Sequence, residues 1–364
     1  MRKNSASGIL SYILGIMKKI STKPRTEYID IARGIVIILM LIGHSGAPDI
    51  ITTLIYGFHM PFFFILSGFL YNREKWEEKG LKNLVVSKFK AYIIPYFVLC
   101  GINIGLELIY DLMSGYSFED FSQEGVRSIL WALYSYSTKA RMGTSVPLWF
   151  LPCIFLSTIV VWAVFKLRSR AARCLMLMAF WGVNLILGAL KSPILPWHIG
   201  IALIGAGFMM AGYYIRKVLD NKDVSKVMSG NPHFYVGFMC FLFSVFFLCT
   251  AATGKVDINL RKFGTYPGLF IIGSTCMSVF VLLLSRDVIG SNRVLKFFGR
   301  NTIVLMGFNY TINYYSKIFW QKSILRGIVS YNWIVVCILD IVCCAVLIKI
   351  KKRIDMHKAL SIAS

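Results

Sequence analysis

Charged residues are scarce in this sequence. Asp, Glu, Lys and Arg make up 16% of its 364 residues, whereas 57% are hydrophobic. An ordinary soluble domain has about 25% charged and about 45–50% apolar residues. The deficit excludes a soluble globular enzyme, a disordered chain and a coiled coil. It predicts an all-α polytopic membrane protein, because spans of about 20 residues and their short loops would fill the chain.

Metal-ligand spacings are also missing. The nine cysteines lie almost entirely within apolar runs, and none forms a Cys-x-x-Cys pair. Cysteines of this kind pack among helices or face lipid. We therefore expect neither a disulfide scaffold nor a metal site.

The apolar runs predict ten transmembrane helices. The run that contains Asn301, Asn309 and Asn313 is expected to face other helices rather than lipid. The predicted spans are 29–46, 50–71, 91–110, 147–165, 174–190, 197–215, 234–253, 266–285, 301–320 and 332–350.

Acidic residues are outnumbered, with 17 Asp and Glu against 40 Lys and Arg and a net charge of +23. Alternate segments between the spans hold 29 of the basic residues, and the other segments hold 10. Since basic loops remain in the cytoplasm, both termini are predicted to be cytoplasmic. The charge therefore reflects membrane topology, and no nucleic-acid partner is expected.

The same patterns divide the chain into three parts. Residues 1–28 are predicted to be a cytoplasmic basic segment. Within it, residues 9–17 are too short to span and lack the charge order of a signal peptide. We expect an interfacial helix there, with an extra half-span as the alternative. Residues 29–350 are predicted to form the membrane domain, and 351–364 a cytoplasmic tail.

The first predicted span contains three ionisable residues, which are costly inside a bilayer. Asp30, Arg33 and His44 share one helical face, with a rise of about 16 Å from Arg33 to His44. We expect Arg33 near the cytoplasmic end and His44 near the outer end. Alternatively, Asp30 and Arg33 form a structural pair, and His44 is a structural imidazole at the interface.

The second predicted span combines His59 with Pro61, which should bend the helix and free backbone carbonyls near His59. Ser67 and Gly68 follow, and such small residues permit close helix contact. His59 either lines a channel or is a buried hydrogen-bonded residue. Ser67 and Gly68 either belong to the functional site or only allow close packing of helices.

Further polar residues lie at or inside later spans. Glu107 and Asp340 could each orient an imidazole or hold a polar network between helices. Lys88, Lys90 and Arg300 stand at cytoplasmic span ends, where they are either topology charges or a rim for phosphates.

These residues predict a site that faces both sides of the membrane. Cations at the inner mouth suit a phosphorylated cytoplasmic donor, and an imidazole near the outer mouth suits base or nucleophilic chemistry on an external acceptor. A proton-coupled transporter would also use intramembrane His, Asp and Arg. The residues alone therefore leave an enzyme and a transporter open.

Several stretches resemble the membrane acyltransferase-3 family, most closely its fucose 4-O-acetylase-like members. IDIARGIVIILMLIGH at 29–44 resembles the family's first helix, and FHMPFFFILSGFLY at 58–71 resembles its second. KAYIIPYF at 90–97, PLWFLPCIF at 147–155 and FGRNTIVLM at 298–306 extend the likeness along the chain.

The resemblance implies an O-acetyltransferase in a bacterial plasma membrane. The donor would be cytoplasmic acetyl-CoA, and the acceptor a hydroxyl of a cell-surface or secreted glycan. Arg33 and His44 would be essential, with Asp30 holding Arg33 and His59 lining the channel. The expected acyl-CoA-binding residues are Arg33, Ser67, Gly68, Lys88, Lys90 and Arg300.

The acceptor is expected near the outer side, where Trp149 matches the family's outward Trp-Phe-Leu element. The expected substrate-binding residues are Trp149, Glu107, Asp257 and Asn309. Asn309 departs from many relatives, which have a His at about this place. The competing interpretations are a transporter or flippase of a glycan intermediate, and a membrane partner or sensor. The identity of the acyl group, direct transfer against an acyl-histidine, and a homodimer stay open.

Overall fold

The computed structural model describes residues 27–115, 118–223, 231–322 and 332–363. Within these ranges the chain is a bundle of α-helices, and its β pairing is a single bridge between Asp257 and Lys262. The interfacial helix predicted over residues 9–17 lies outside the described residues. The all-α prediction is confirmed.

The described residues of the first half of the chain form eight α-helices. A π-helical turn at Phe89–Ile93 joins α4 to α5, and a 3₁₀ segment at Gly143–Trp149 leads into α8. The helices are α1 Glu27–His44, α2 Asp49–Tyr56, α3 His59–Phe69, α4 Arg73–Lys88, α5 Ile94–Met113, α6 Phe118–Tyr134, α7 Lys139–Met142 and α8 Phe150–Lys166.

The second half continues the bundle. A 3₁₀ turn at Pro196–His198 precedes α10, and a π-helical turn at Leu284–Ile289 extends α12. The helices are α9 Arg170–Ala189, α10 Ile199–Leu219, α11 Pro232–Thr253, α12 Pro267–Leu283, α13 Arg293–Gly299, α14 Thr302–Lys322 and α15 Trp333–Ala363.

Eight helical segments of the described chain are long and apolar enough to cross a membrane, and each overlaps a predicted span. The other two predicted spans coincide with α1 and α14. These helices are more polar, since α1 carries three charged residues and α14 carries Asn309 and Asn313. The polytopic membrane class is confirmed, and the count of ten stays a prediction.

Two segments expected as loops are helical. Helix α4 makes up most of the basic segment 72–90 and bends at Gly80, where φ is +75°. Glycine suits this left-handed backbone because it has no Cβ. On the other side, α6 occupies much of the predicted outward loop 111–146.

Helix α1 is central, because it packs against α3, α12, α13, α14 and α15. Its contact with α13 is backbone to backbone. A methyl group on Gly34 would collide with the carbonyl of Leu295, and one on Gly299 would collide with the carbonyl of Asp30. This close approach brings Arg300, which follows α13, beside the start of α1. We call the end of the bundle at which α1 begins the basic side, and the other end the opposite side.

The second predicted span is broken into α2 and α3. The break at Gly57 and Phe58 precedes Pro61, which lies in the first turn of α3, where backbone N–H groups have no intrahelical partner. The predicted disruption near His59 therefore occurs, and the helix ends before His59 rather than bending at Pro61. Ser67 and Gly68 follow in the last turn of α3.

Candidate functional site

A cavity of about 930 Å³ lies at the opposite side of the bundle, where α1 ends. His44, the last residue of α1, lines it together with residues of α5, α14 and the start of α15. Its wall mixes aromatic and polar side chains. Among them are Tyr110, Tyr310, Tyr314, Glu107, Asp111 and Asn313.

A chain of hydrogen bonds supports His44 from behind. Its Nδ1 lies 2.8 Å from Oδ1 of Asn309, and Nδ2 of Asn309 donates to Oδ2 of Asp340 at 2.7 Å. Asn309 and Asp340 are fully buried. The sequence suggested that Asp340 could orient an imidazole, and the structure connects it to His44 through Asn309.

This chain of bonds determines which nitrogen of His44 is basic. The amide NH₂ of Asn309 donates to Asp340, so the amide oxygen faces His44. The amide oxygen only accepts hydrogen bonds, so Nδ1 of His44 carries the proton. In the neutral imidazole, Nε2 then carries the lone pair that a base or nucleophile requires.

Aromatic rings surround His44. Its ring centroid lies 5.1 Å from that of Tyr310, 6.0 Å from that of Tyr56 and 6.4 Å from that of His59. Buried His59 has its Nδ1 2.9 Å from the carbonyl oxygen of Ile55, at the break between α2 and α3. The second imidazole thus lies among the rings near His44 and is held by a backbone carbonyl, as a buried hydrogen-bonded histidine would be.

A second cavity, of about 350 Å³, opens near the start of α1 on the basic side. Four cationic side chains from four parts of the chain line it. They are Arg33, Lys88, Arg300 and Lys351. Cationic groups converging on one concave surface are suited to phosphate groups. Ser67 and the apolar Met40, Met60 and Phe63 also line this cavity, and Met40 lies one helical turn before His44.

Asp30 holds two of these cations. Its carboxylate is fully buried, accepts a hydrogen bond from Nε of Arg300 at 2.8 Å and lies 3.9 Å from Arg33. The i,i+3 pair that the sequence suggested is therefore present, and a second arginine joins it. One buried carboxylate thus orients two arginines that line the same cavity.

A family model described as an acyltransferase domain matches residues 26–349, which is most of the chain. The protein belongs to the acyltransferase-3 family. No curated protein matches its sequence. The match extends from the start of α1 into α15, and it includes the residues that line both cavities apart from Lys351.

The structure of this acyltransferase brings together part of the predicted site. Glu107 lines the His44 cavity and accepts a hydrogen bond from the Thr144 backbone N–H at 2.6 Å. Arg33, Ser67, Lys88 and Arg300 line the basic cavity.

Other predicted residues lie apart from the two cavity walls. Lys90 is half-buried near the α4–α5 junction, and Gly68 packs against the backbone of Met209, as its packing interpretation expects. Buried Trp149 packs against His198 with ring centroids 4.6 Å apart. Asp257 caps the turn at Ile258–Leu260, and burial raises the pKa of its carboxyl.

Sequence reasoning missed several residues of this acyltransferase. Lys351 was assigned to the tail, because a basic run after an apolar run does not show which lysine turns inward. Tyr310 stands beside Asn309 in the sequence without a distinguishing motif. His198 was also missed, and its Nε2 lies 2.9 Å from Oγ of buried Ser137, in a contact between distant loops.

Proposed function

We propose that this acyltransferase is an O-acetyltransferase that moves an acetyl group from cytoplasmic acetyl-CoA to a hydroxyl of a cell-surface or secreted glycan. One observation carries the proposal. A single helix, α1, presents Arg33 to a cationic cavity at one end and His44 to a polar and aromatic cavity at the other. The separation suits a reaction whose donor and acceptor come from opposite sides of the membrane.

The donor would bind from the basic side. Arg33, Lys88, Arg300 and Lys351 would contact its phosphates, and Ser67 would lie beside the arm that carries the acyl group. Buried Asp30 keeps Arg300 and Arg33 oriented, which reduces the entropy lost on binding. The acyl group would pass Met40, Met60 and Phe63 to reach His44. The two methionines are flexible side chains that can repack around it.

His44 would be the base in direct transfer. Nε2 takes the proton of the acceptor hydroxyl, and the hydroxyl oxygen forms a bond to the acyl carbonyl carbon. The carbon–sulfur bond of the thioester then breaks, and the CoA sulfur leaves with the proton from His44. In the alternative route Nε2 attacks the thioester carbon, the carbon–sulfur bond breaks and CoA is released as its thiolate. The acceptor oxygen then bonds to the acyl carbon as the carbon–nitrogen bond to the imidazole breaks, and the hydroxyl proton passes through Nε2 to the CoA sulfur. Both routes need the proton on Nδ1, from which His44 donates a hydrogen bond to Oδ1 of Asn309.

The acceptor would occupy the His44 cavity. Tyr110, Tyr310 and Tyr314 offer aromatic faces, and Glu107 and Asp111 offer hydrogen-bond acceptors for hydroxyl groups. Sites for small molecules commonly combine an apolar lining with a few polar groups that set orientation. These features support a sugar as the acceptor.

The decisive experiment uses purified protein and acyl-labelled acetyl-CoA, with free CoA and label on the protein as readouts. We expect His44→Ala to abolish release and labelling. The matched control is His233→Ala, which replaces an exposed histidine at the start of α11 and should leave activity unchanged. CoA release independent of His44 would refute its role. Absence of CoA binding and release would instead favour the transporter or flippase.

Arg33→Ala tests the donor site. We expect it to raise KM for acetyl-CoA and to leave kcat within a few-fold, because Arg33 lies about 16 Å along the helix from His44. Unchanged donor dependence would make Arg33 a structural anchor. Lys90→Ala is a suitable control, because this lysine lies outside the cationic wall of the cavity.

A further inference from the structure

A third concavity, an apolar groove of about 500 Å³, lies beside the His44 cavity. Helix α14 packs against both α5 and α15 and forms the floor of the groove between them. Leu106 contributes one wall, Leu339, Cys343 and Leu347 contribute the other, and the exposed lining is almost entirely carbon. Because α5 and α15 belong to predicted membrane spans, the groove faces the hydrocarbon core.

The groove and the His44 cavity meet at Tyr315, which lines both. From Phe308 to Trp320 the floor rises about 18 Å along α14, toward the opposite side. A linear hydrocarbon chain lying there would end beside the polar cavity. The two concavities therefore form a continuous surface, apolar in the membrane and polar next to His44.

The hydroxyl of Tyr315 indicates what belongs at the junction. It is buried and has no hydrogen-bond partner among the residues that the structure describes. Leaving a buried hydroxyl unsatisfied costs free energy, so buried polar groups in native proteins are nearly always hydrogen-bonded. An oxygen-rich headgroup attached to a chain in the groove would place an acceptor beside this hydroxyl.

We propose that the acceptor is a lipid-linked sugar whose hydrocarbon tail lies in the groove formed by α5, α14 and α15. The sugar then extends past Tyr315 into the cavity of His44. This inference rests on the proposed function and specifies its acceptor class. A tail held in the membrane would limit the sugar's motion and present its hydroxyl repeatedly to His44.

A photoactivatable hexadecyl glucoside, with the reactive group at the end of its tail, tests the groove without any acetyl-CoA. We expect cross-links on α14 and α15 in the wild-type protein. Cys343→Trp should fill the groove and reduce these cross-links roughly tenfold. This factor corresponds to about two methylene groups of the tail that are no longer buried. Val342→Trp is the matched control, because the neighbouring Val342 is 53% exposed and lies outside the groove wall.

Competition separates a lipid-linked sugar from ordinary lipid. Excess unlabelled hexadecyl glucoside should remove the α14–α15 cross-links, and an equal excess of a two-chain phospholipid should remove far fewer. Equal competition, or labelling spread over all exposed helices and unaffected by Cys343→Trp, would overturn the proposal. If Cys343→Trp fails to fold, Leu106→Trp blocks the groove from its other wall. Since no acyl transfer is measured, an inactive protein can still label correctly, and an active one can fail to label.

Discussion

Replacing Asn309 tests whether Asp340 acts on His44 through this amide. Asn309→Leu retains a side chain of similar size and removes both hydrogen bonds, at 2.8 Å to His44 and 2.7 Å to Asp340. The proton on Nδ1 of His44 then loses its acceptor, and the fraction of His44 with a basic Nε2 falls. Asn309 is thus expected to position His44 without touching the reacting atoms.

The expected loss follows from the bonds removed. A typical intramolecular hydrogen bond contributes about 0.5–1.5 kcal/mol to stability, so the two bonds together contribute about 1–3 kcal/mol. If this free energy is what holds His44 in its reactive orientation and tautomer, its loss lowers kcat about 5- to 150-fold. KM for acetyl-CoA should change little, because the cationic cavity lies at the other end of α1.

Two further variants distinguish this role from packing. Asn309→His should restore most of kcat, since an imidazole can accept from His44 with one nitrogen and donate to Asp340 with the other. Asn103→Leu is the control. It removes a buried amide of α5 that donates to the Gly307 carbonyl of α14, the helix that carries Asn309, and that does not contact His44. The reasoning is refuted if Asn309→Leu keeps wild-type kcat, or if Asn103→Leu lowers kcat as much and Asn309→His gives no rescue.

Three other predictions concern the basic side, the contact between α1 and α13, and the surroundings of His44. Arg300→Ala should raise KM for acetyl-CoA about 10-fold or more, because a charged hydrogen-bonding group is lost, and Lys90→Ala should not. Steady-state kinetics at varied acetyl-CoA concentration would contradict this if the two variants had equal KM values. Gly299→Ala should destabilise the protein by about 1–3 kcal/mol, because the added methyl meets the α1 backbone, and thermal unfolding in detergent would contradict this if Tm matched that of Gly101→Ala, whose methyl meets open space. His59→Phe should lower kcat less than His44→Ala, because His44 lines the cavity and His59 lies outside its wall. An equal loss in the CoA-release assay would place both imidazoles in the reaction.

The sequence by itself determined the protein's class. The deficit of charge and the length of the apolar runs exclude a soluble fold, because a helix in the bilayer must be apolar over about 20 residues. The motifs around Arg33 and His44 pointed to the acyltransferase-3 family, which the match over 26–349 confirms. The periodicity of one helix also placed Asp30, Arg33 and His44 on one face, since all three lie within a single regular element.

Tertiary structure decided which distant residues meet them. Arg300 reaches Asp30 across 270 positions, and Asn309 reaches His44 across 265. No local pattern encodes such contacts, because they depend on how helices pack and rotate against one another. The glycine contact between α1 and α13 sets the first, and the position of α14 against α1 sets the second. The same packing left Lys90 away from the cationic wall and turned Lys351 into it, although the sequence presents both simply as basic residues near span ends.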